Sequence, residues 1–380
     1  MNKTWVKIVV FALFIKIVYY FFAFGVSKYS SKFPPIDLYT FKNDSIPGLF
    51  KIFKIHDAGW YEMIALNGHH KITEQDLRPT EKNNWAASYY AFFPLYPLIT
   101  GVTLRVTGWH YFTSAYIWSV IFSITCFLLF HRFARHFLND ERSAYYATLC
   151  LIFFPFHFYF SAFMTEALFL LLLILAFASI KNKNWVVLAV SGSLLSLTRP
   201  NGIYMIVPLL IYFFENYRRE KLTRQQLMYP AIAFLCIGLT FTGYCFYLNY
   251  MTGDYFAFAT AQQGWYKKFT VIPFTSLFNT GNWRYQFYSI YTIVFMLIAL
   301  VAITRIPISF QALIWTCMLL PLIAGSAQSM PRYITVIFPF SIIIGKYVST
   351  FRYRNIIVFL FFIAHLWSFY YWLTEDPLTF

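Results

Sequence analysis

Charged side chains are scarce in this chain: 12% of its 380 residues are Asp, Glu, Lys or Arg, against 59% hydrophobic, and mean hydropathy is +0.56. A soluble globule carries about twice that charge, so this composition excludes one and describes a polytopic membrane protein. Acidic groups are rarer still, 15 against 30 basic ones, and each carboxylate near an apolar run asks for a reason. The excess of +15 does not indicate nucleic acid. Many of the basic residues fall in short clusters between apolar runs, where the positive-inside rule accounts for them. Cysteine is also sparse: Cys126, Cys150, Cys236, Cys245 and Cys317 all fall inside expected spans and form no CxxC pair. That excludes a disulfide framework and a cysteine-built zinc site. No soluble module, internal repeat or matched pair of interrupted helices is visible, which weakens a carrier reading.

What is present is a series of apolar runs long enough to cross a hydrocarbon core of ~30 Å. The first, Trp5 to Val26, follows Lys3, lacks a small-residue cleavage site and reads as a retained span. Later spans are expected at Phe112 to Phe130, Ser143 to Phe160, Phe163 to Ile180, Trp185 to Leu197, Gly202 to Phe214, Met228 to Leu248, Phe287 to Thr304, Phe310 to Gly325, Ile334 to Tyr347 and Ile356 to Trp372. With the first this makes about eleven in one integral domain, residues 1–380, of all-α class. Phe92 to Val106 is short and carries Pro94 and Pro97, so it is expected to dip into the bilayer without crossing. The basic clusters Arg132/Arg135/Arg142, Lys181/Lys183, Arg218/Arg219/Lys221/Arg224, Arg305 and Arg352/Arg354 then share the N-terminal, cytoplasmic side. The same parity sends the polar turns to the opposite face.

The longest polar region, residues 27–91, is a first extracytoplasmic loop with Pro34, Pro35, Pro47 and Gly48 as breakers. A loop of this length with paired charges and many aromatics is expected to hold interfacial helices and a function. Trp60 to Leu66 reads as such a helix, stopped near Gly68. Within IHDAGWYEMIALNGHH, Asp57 is the candidate general base, with His56, Trp60 and Glu62 as candidate substrate contacts. A lone loop aspartate is ordinarily just solvated; the glycines and stacking rings around this one argue for more. His56, His69 and His70 stand near Asp57 and Glu62, but their spacing fits no standard zinc pattern, so no metal or cofactor is assigned.

Beyond the loop, Glu166 in FSAFMTEALF lies at the mouth of a span. Glu166 is a second catalytic candidate, the ordinary alternative being a snorkelling or N-capping residue beside Thr165 at a helix start. Arg199 and Asn201 in TRPNG, and Arg332 in MPRYITVIFP, sit on the same face by parity. A guanidinium there suits a lipid phosphate, held by the substrate or by an ordinary headgroup. GDYFAFATAQQGW offers Gln263 and Trp265 for carbohydrate contact or for an aromatic belt.

Taken in order, HDAGWYEMIALNGH with AFFPLYP, MTEALF, TRPNG, GDYFAFATAQQGW and PRYITVIFP resemble the PIG-V family of GPI mannosyltransferase 2, among the GT-C glycosyltransferases, over nearly the whole chain. The resemblance implies a multi-span transferase that moves mannose or another hexose from a polyprenyl-phosphate donor to a lipid or glycan acceptor. It implies Asp57 as the acidic residue of the first loop, a single inverting displacement, and Arg199 and Arg332 beside the leaving phosphate. The residues before Asp57 depart from the family pattern: Ile55 and His56 replace tryptophan or arginine, which leaves the donor sugar open. A composition rich in Lys, Asn, Ile and Phe points to a bacterial inner-membrane protein with a bacterial acceptor. The competing class is a lipid or glycan transporter or flippase, which needs ionisable groups at mid-membrane depth; Lys16 is the main one.

Overall fold

The computed structural model describes residues 3–29, 48–73, 88–218, 220, 223–265, 269–278 and 281–379. Of the first loop, residues 30–47 and 74–87 lie outside the described residues. All regular structure among the described residues is helical. The longer helices are α1 (Lys3–Tyr29), α2 (Ala58–Asn67), α3 (Leu95–Thr107), α4 (Tyr111–Leu138), α5 (Glu141–Ile152), α6 (Glu166–Lys181), α7 (Trp185–Ser196) and α8 (Ile206–Tyr217). They continue with α9 (Arg224–Thr252), α10 (Trp283–Val301), α11 (Ile308–Ile323), α12 (Met330–Thr335), α13 (Phe338–Thr350) and α14 (Arg354–Leu373).

Helix α1 shows how apolar surface is divided. Ile8, Ala12, Ile15, Tyr19 and Ala23 of α1 recur every three or four residues and are buried, while Val10, Phe14, Ile17, Phe21 and Phe24 on its other side are exposed. A stripe of bare phenylalanines is stable only against lipid. By contrast α6, EALFLLLLILAFASIK, is apolar all round and buried all round, packed between α4, α7 and α8 as the axis of the bundle. Among the described residues five helices, α1, α4, α9, α10 and α14, are long and apolar enough to cross a membrane. A count of about eleven requires helices of 12 to 16 residues, α5 to α8, α11 and α13, to cross as well. Such short helices reach across only where neighbours complete the path.

Two expected spans are in fact interrupted. The run Ser143 to Phe160 stops as a helix at Ile152, ahead of Pro155, and Phe156 takes a left-handed conformation with φ 67°. The freed backbone is satisfied by side chains of other helices: Phe156 N–H donates to Ser368 Oγ at 3.0 Å and His365 Nδ1 donates to Phe154 O at 2.8 Å. Irregular backbone at membrane depth is tolerated on that condition. Likewise, Ile334 to Tyr347 is split between α12 and α13 just before Pro339. α3, covering most of Phe92 to Val106, has 13 residues. At ~1.5 Å per residue it spans ~20 Å, too short to cross alone.

Polar groups sort to the two ends of the bundle. At one end Tyr217 Oη donates to Ile180 O, Lys183 pairs with Glu220, Arg135 with Glu141, and Arg354 Nε donates to Tyr146 Oη. This end therefore gathers Arg135, Lys183 and Arg354, basic residues of three of the five expected cytoplasmic clusters, on adjoining helix ends. Close helix approach holds it together: a Cβ on Gly345 of α13 would overlap the backbone of Ala147 in α5. The opposite end collects the starts of α2, α6 and α10, the turn after α7, α12, and the chain beyond α14.

Candidate active site

At that opposite end four charged side chains from distant parts of the chain meet. Asp57 occupies the N-cap position of α2 but makes no capping hydrogen bond with its side chain. Its Oδ2 instead accepts from Arg332 NH1. Arg332, on α12, also donates from Nε to Glu166 Oε1 at 2.5 Å. Glu166 is the first residue of α6 and is completely buried. Its second neighbour is Arg199, whose NH1 lies 3.4 Å from the same Oε1.

Each guanidinium is also packed against rings. Arg199 lies between Phe169 and Tyr333, 5.5 and 5.1 Å from their centroids, and Arg332 lies 5.4 Å from that of Tyr159. Two carboxylates and two guanidiniums cancel, and that balance is what permits their burial. Burial works against the charge of Arg332, but Glu166 and Asp57 outweigh it and hold its pKa above the ordinary value. Glu166 gains further from the N-terminus of α6, whose unpaired N–H groups favour an anion. Of the ordinary explanations for Glu166, snorkelling is excluded by its burial, and Thr165 makes no side-chain cap. The Asp57 side chain is 25% exposed, so one edge of the cluster is open.

His56 turns the chain into α2 with φ 53°, a conformation histidine tolerates better than most residues. Its Nε2 hydrogen-bonds Thr379 Oγ1 at 2.9 Å, and its ring meets the edge of Trp372. Burial pushes the His56 imidazole down to about 4, with Asp57 pulling it up, Arg332 pushing it down and Asp376 pulling it up, so at neutral pH it is uncharged. The segment that holds it is itself clamped: Arg284 grips Asp376 through a fork at 2.7 and 2.6 Å, Tyr159 Oη donates to Thr379 O, and Tyr288 Oη donates to Pro377 O.

The structure thus brings together Asp57, Glu166, Arg199 and Arg332, with His56 beside them. Other expected contacts lie elsewhere. Glu62 pairs with Lys54 at 2.5 Å. Trp60 stacks on Phe92, ring centroids 6.0 Å apart. Asn201 opens the turn Asn201–Tyr204 without a polar contact to the four charges. That turn needs glycine next, because a Cβ on Gly202 would strike the Leu195 carbonyl. Gln263 is exposed on the segment Ala261–Trp265, and the side chain of Trp265 lies outside the described residues. Arg332, expected beside a phosphate, is bound to two carboxylates instead. His69 is not near Asp57; it bonds Tyr247 and stacks on Tyr90. Among the described residues no cluster of three or more His, Cys, Asp or Glu forms a metal-binding group. Sequence reasoning missed the Asp376 to Thr379 segment, although a carboxylate just past an apolar span was a usable signal.

Residues 93–242 match the family model for dolichyl-phosphate-mannose-protein mannosyltransferase. This stretch contains Glu166 and Arg199 but not Asp57 or Arg332. No curated protein matches by sequence. Among solved structures, ArnT from Cupriavidus metallidurans bound to undecaprenyl phosphate is similar over 100% of this chain and 77% of its own, with 13% identity and a TM-score of 0.51. The Archaeoglobus fulgidus oligosaccharyltransferase, solved with zinc and sulfate, is similar over 96% of this chain and 53% of its own, at 12% identity and a TM-score of 0.41. The first of these identifies the fold as GT-C-like.

Proposed function

We propose that this chain, acting as a single integral domain, is a membrane glycosyltransferase that moves a hexosyl residue, mannosyl by its resemblance to the PIG-V family, from a polyprenyl phosphate to a lipid or glycan acceptor. The reading is supported most by one observation: Asp57 stands at the open edge of a buried, charge-balanced cluster that fixes one of its oxygens on Arg332. A general base needs access to substrate and a defined direction, and this carboxylate has both.

In the proposed reaction, Asp57 takes the proton of the acceptor hydroxyl as that oxygen attacks the anomeric carbon. The bond from that carbon to the phosphate oxygen breaks with its electron pair, which leaves on the lipid phosphate, and the configuration inverts. Arg199 is the phosphate ligand in this scheme, because its NH1 makes an ion pair but no hydrogen bond within the cluster. Arg332 holds Asp57 and Glu166 in register. The site in this reading faces away from the cytoplasm, since basic residues gather at the other end of the bundle; placement in a bacterial inner membrane rests on the composition rich in Lys, Asn, Ile and Phe. The match to a family described by dolichyl-phosphate mannose and the fold shared with a polyprenyl-phosphate-bound structure agree with it.

One observation favours the transporter alternative: Lys16, inside α1, is buried and bonds only Ser161 Oγ, at 2.9 Å. Deletion of the gene separates the two. A transferase deletion removes one glycolipid or glycan species, restored by the wild-type gene and not by Asp57→Asn. Unchanged glycolipids with a Lys16-dependent transport defect would reverse the assignment.

A further inference from the structure

We infer that the buried polar wall formed by Tyr61, Tyr96, Tyr111 and Thr165 with Glu166 and Arg199 is the subsite for the hydroxyl-bearing ring of a phosphate-linked sugar; this rests on the transfer reaction proposed above. Tyr61 follows Asp57 by four residues on α2, so both side chains lie on one face, a single turn apart. Its hydroxyl lies within electrostatic reach of Arg332, Glu166 and Arg199. Tyr96 of α3 meets the Tyr61 ring edge-on, centroids 5.5 Å apart, and its hydroxyl is in reach of Glu166. Tyr111, which opens α4, neighbours Tyr96 and Tyr61. All six residues are buried.

The wall differs from the rest of the interior in how its polar atoms are used. Several buried tyrosines elsewhere spend their hydroxyls: Tyr19 on His365, Tyr159 on Thr379 O and Tyr217 on Ile180 O. Here, among the described residues, the hydroxyls of Tyr96, Tyr111 and Thr165 and Glu166 Oε2 have no hydrogen-bond partner, and Arg199 NH1 has only its ion pair. Tyr20, Tyr244 and Tyr291 also carry unpaired hydroxyls, but without an unpaired carboxylate or guanidinium atom beside them. In a chain with 46 phenylalanines, phenylalanine fills such positions at lower cost unless the hydroxyl is used.

The unpaired set defines the ligand's chemistry. A carboxylate oxygen accepts only, a guanidinium N–H donates only, and the phenols do either. A hexose ring offers neighbouring hydroxyls that donate and accept at fixed spacing, and its carbon faces suit aromatic walls. An anionic group attached to the ring falls to Arg199. An apolar lipid tail fits none of these atoms. The ring enters from the Asp57 edge, the open side of the cluster.

The test uses the full-length protein in detergent, with Tyr61→Phe, Tyr96→Phe and Tyr111→Phe, which keep ring volume. Binding is measured for a short-chain polyprenyl phosphate and for the same lipid carrying a hexose. The wild type is expected to bind the sugar-bearing lipid more tightly, and at least one of the Tyr96→Phe and Tyr111→Phe variants to lose about tenfold in that affinity while binding the bare phosphate normally. Phenylalanine variants that all bind both lipids as wild type does, whatever their melting temperatures, overturn the subsite. Wild-type protein indifferent to the hexose also overturns it. Sugar-dependent binding without any transfer supports the subsite and defeats the proposed reaction, so the two fail separately.

Discussion

Arg332 and Asp57 are 275 residues apart in the chain and joined in the fold by an ion pair. The pair gives the candidate base a fixed direction by holding its Oδ2, while the side chain stays 25% exposed. Arg332 in turn is fixed by Glu166, so the geometry of the base is set from α6 and α12 rather than from its own loop.

Asp57→Asn is expected to lower transfer by about 10²- to 10⁴-fold, the usual contribution of a general base, while melting falls by only a few degrees. The amide keeps an oxygen for Arg332, and the position is partly exposed, so little burial energy is at stake. Turnover measured within threefold of wild type would contradict the role.

Glu166→Gln is expected to behave differently, as a folding defect. It leaves two guanidiniums facing a single carboxylate in a buried place, a loss on the order of 3–5 kcal/mol. Denaturant unfolding in detergent should show that loss, and adding Arg199→Gln should recover part of it. A change below about 1 kcal/mol, or no recovery in the double variant, would mean that Glu166 does not neutralise the cluster.

Much of this was legible in sequence where signals are local. The helix around Trp60 and its stop at Gly68, which takes φ 73°, could be read from apolar spacing and a glycine. The break after Ile152 could not be, since Phe153 to Phe160 is as apolar as the helix before it and only Pro155 marks the change. Glu62 is near Asp57 in sequence, yet at ~100° per residue it points about 140° away round α2 and finds Lys54. Tyr61, Tyr96 and Tyr111 are not singled out as site residues in the sequence, because nothing local reveals that their rings are buried beside a carboxylate. The four charges of the site come from four separate stretches, and parity placed them on one face without naming their partners.

His56 makes stability depend on pH in a defined window. Its folded pKa is about 4 against the ordinary 6.5 of an imidazole, so the unfolded chain binds more protons between those values and stability rises with pH across them. The folded state is therefore expected to keep its full stability above pH ~6.5 and to lose it progressively as pH falls toward ~4. His56→Gln should flatten this window. An unchanged slope between pH 4 and 6.5 in the variant would assign the titration to another group.

Topology is checked by labelling single cysteines after the five native ones are replaced. Cysteines at Asn282, the N-cap of α10, and at Asp254, just beyond α9, are expected to react with a membrane-impermeant reagent from outside. One at Arg224, at the other end of α9, is expected to be protected until the membrane is opened. Outside labelling at Arg224 would invert the protein and move the site to the cytoplasm.

The most direct measurement is sugar transfer by the purified protein in liposomes, supplied in parallel with a polyprenyl-phosphate hexose and the corresponding nucleotide sugar. The account predicts transfer from the lipid-linked donor alone, with kcat/KM for that donor reduced about 10²-fold or more in Arg199→Gln, because that guanidinium meets the departing phosphate. Transfer from the nucleotide sugar in the absence of lipid donor, or normal donor kinetics in Arg199→Gln, would contradict it.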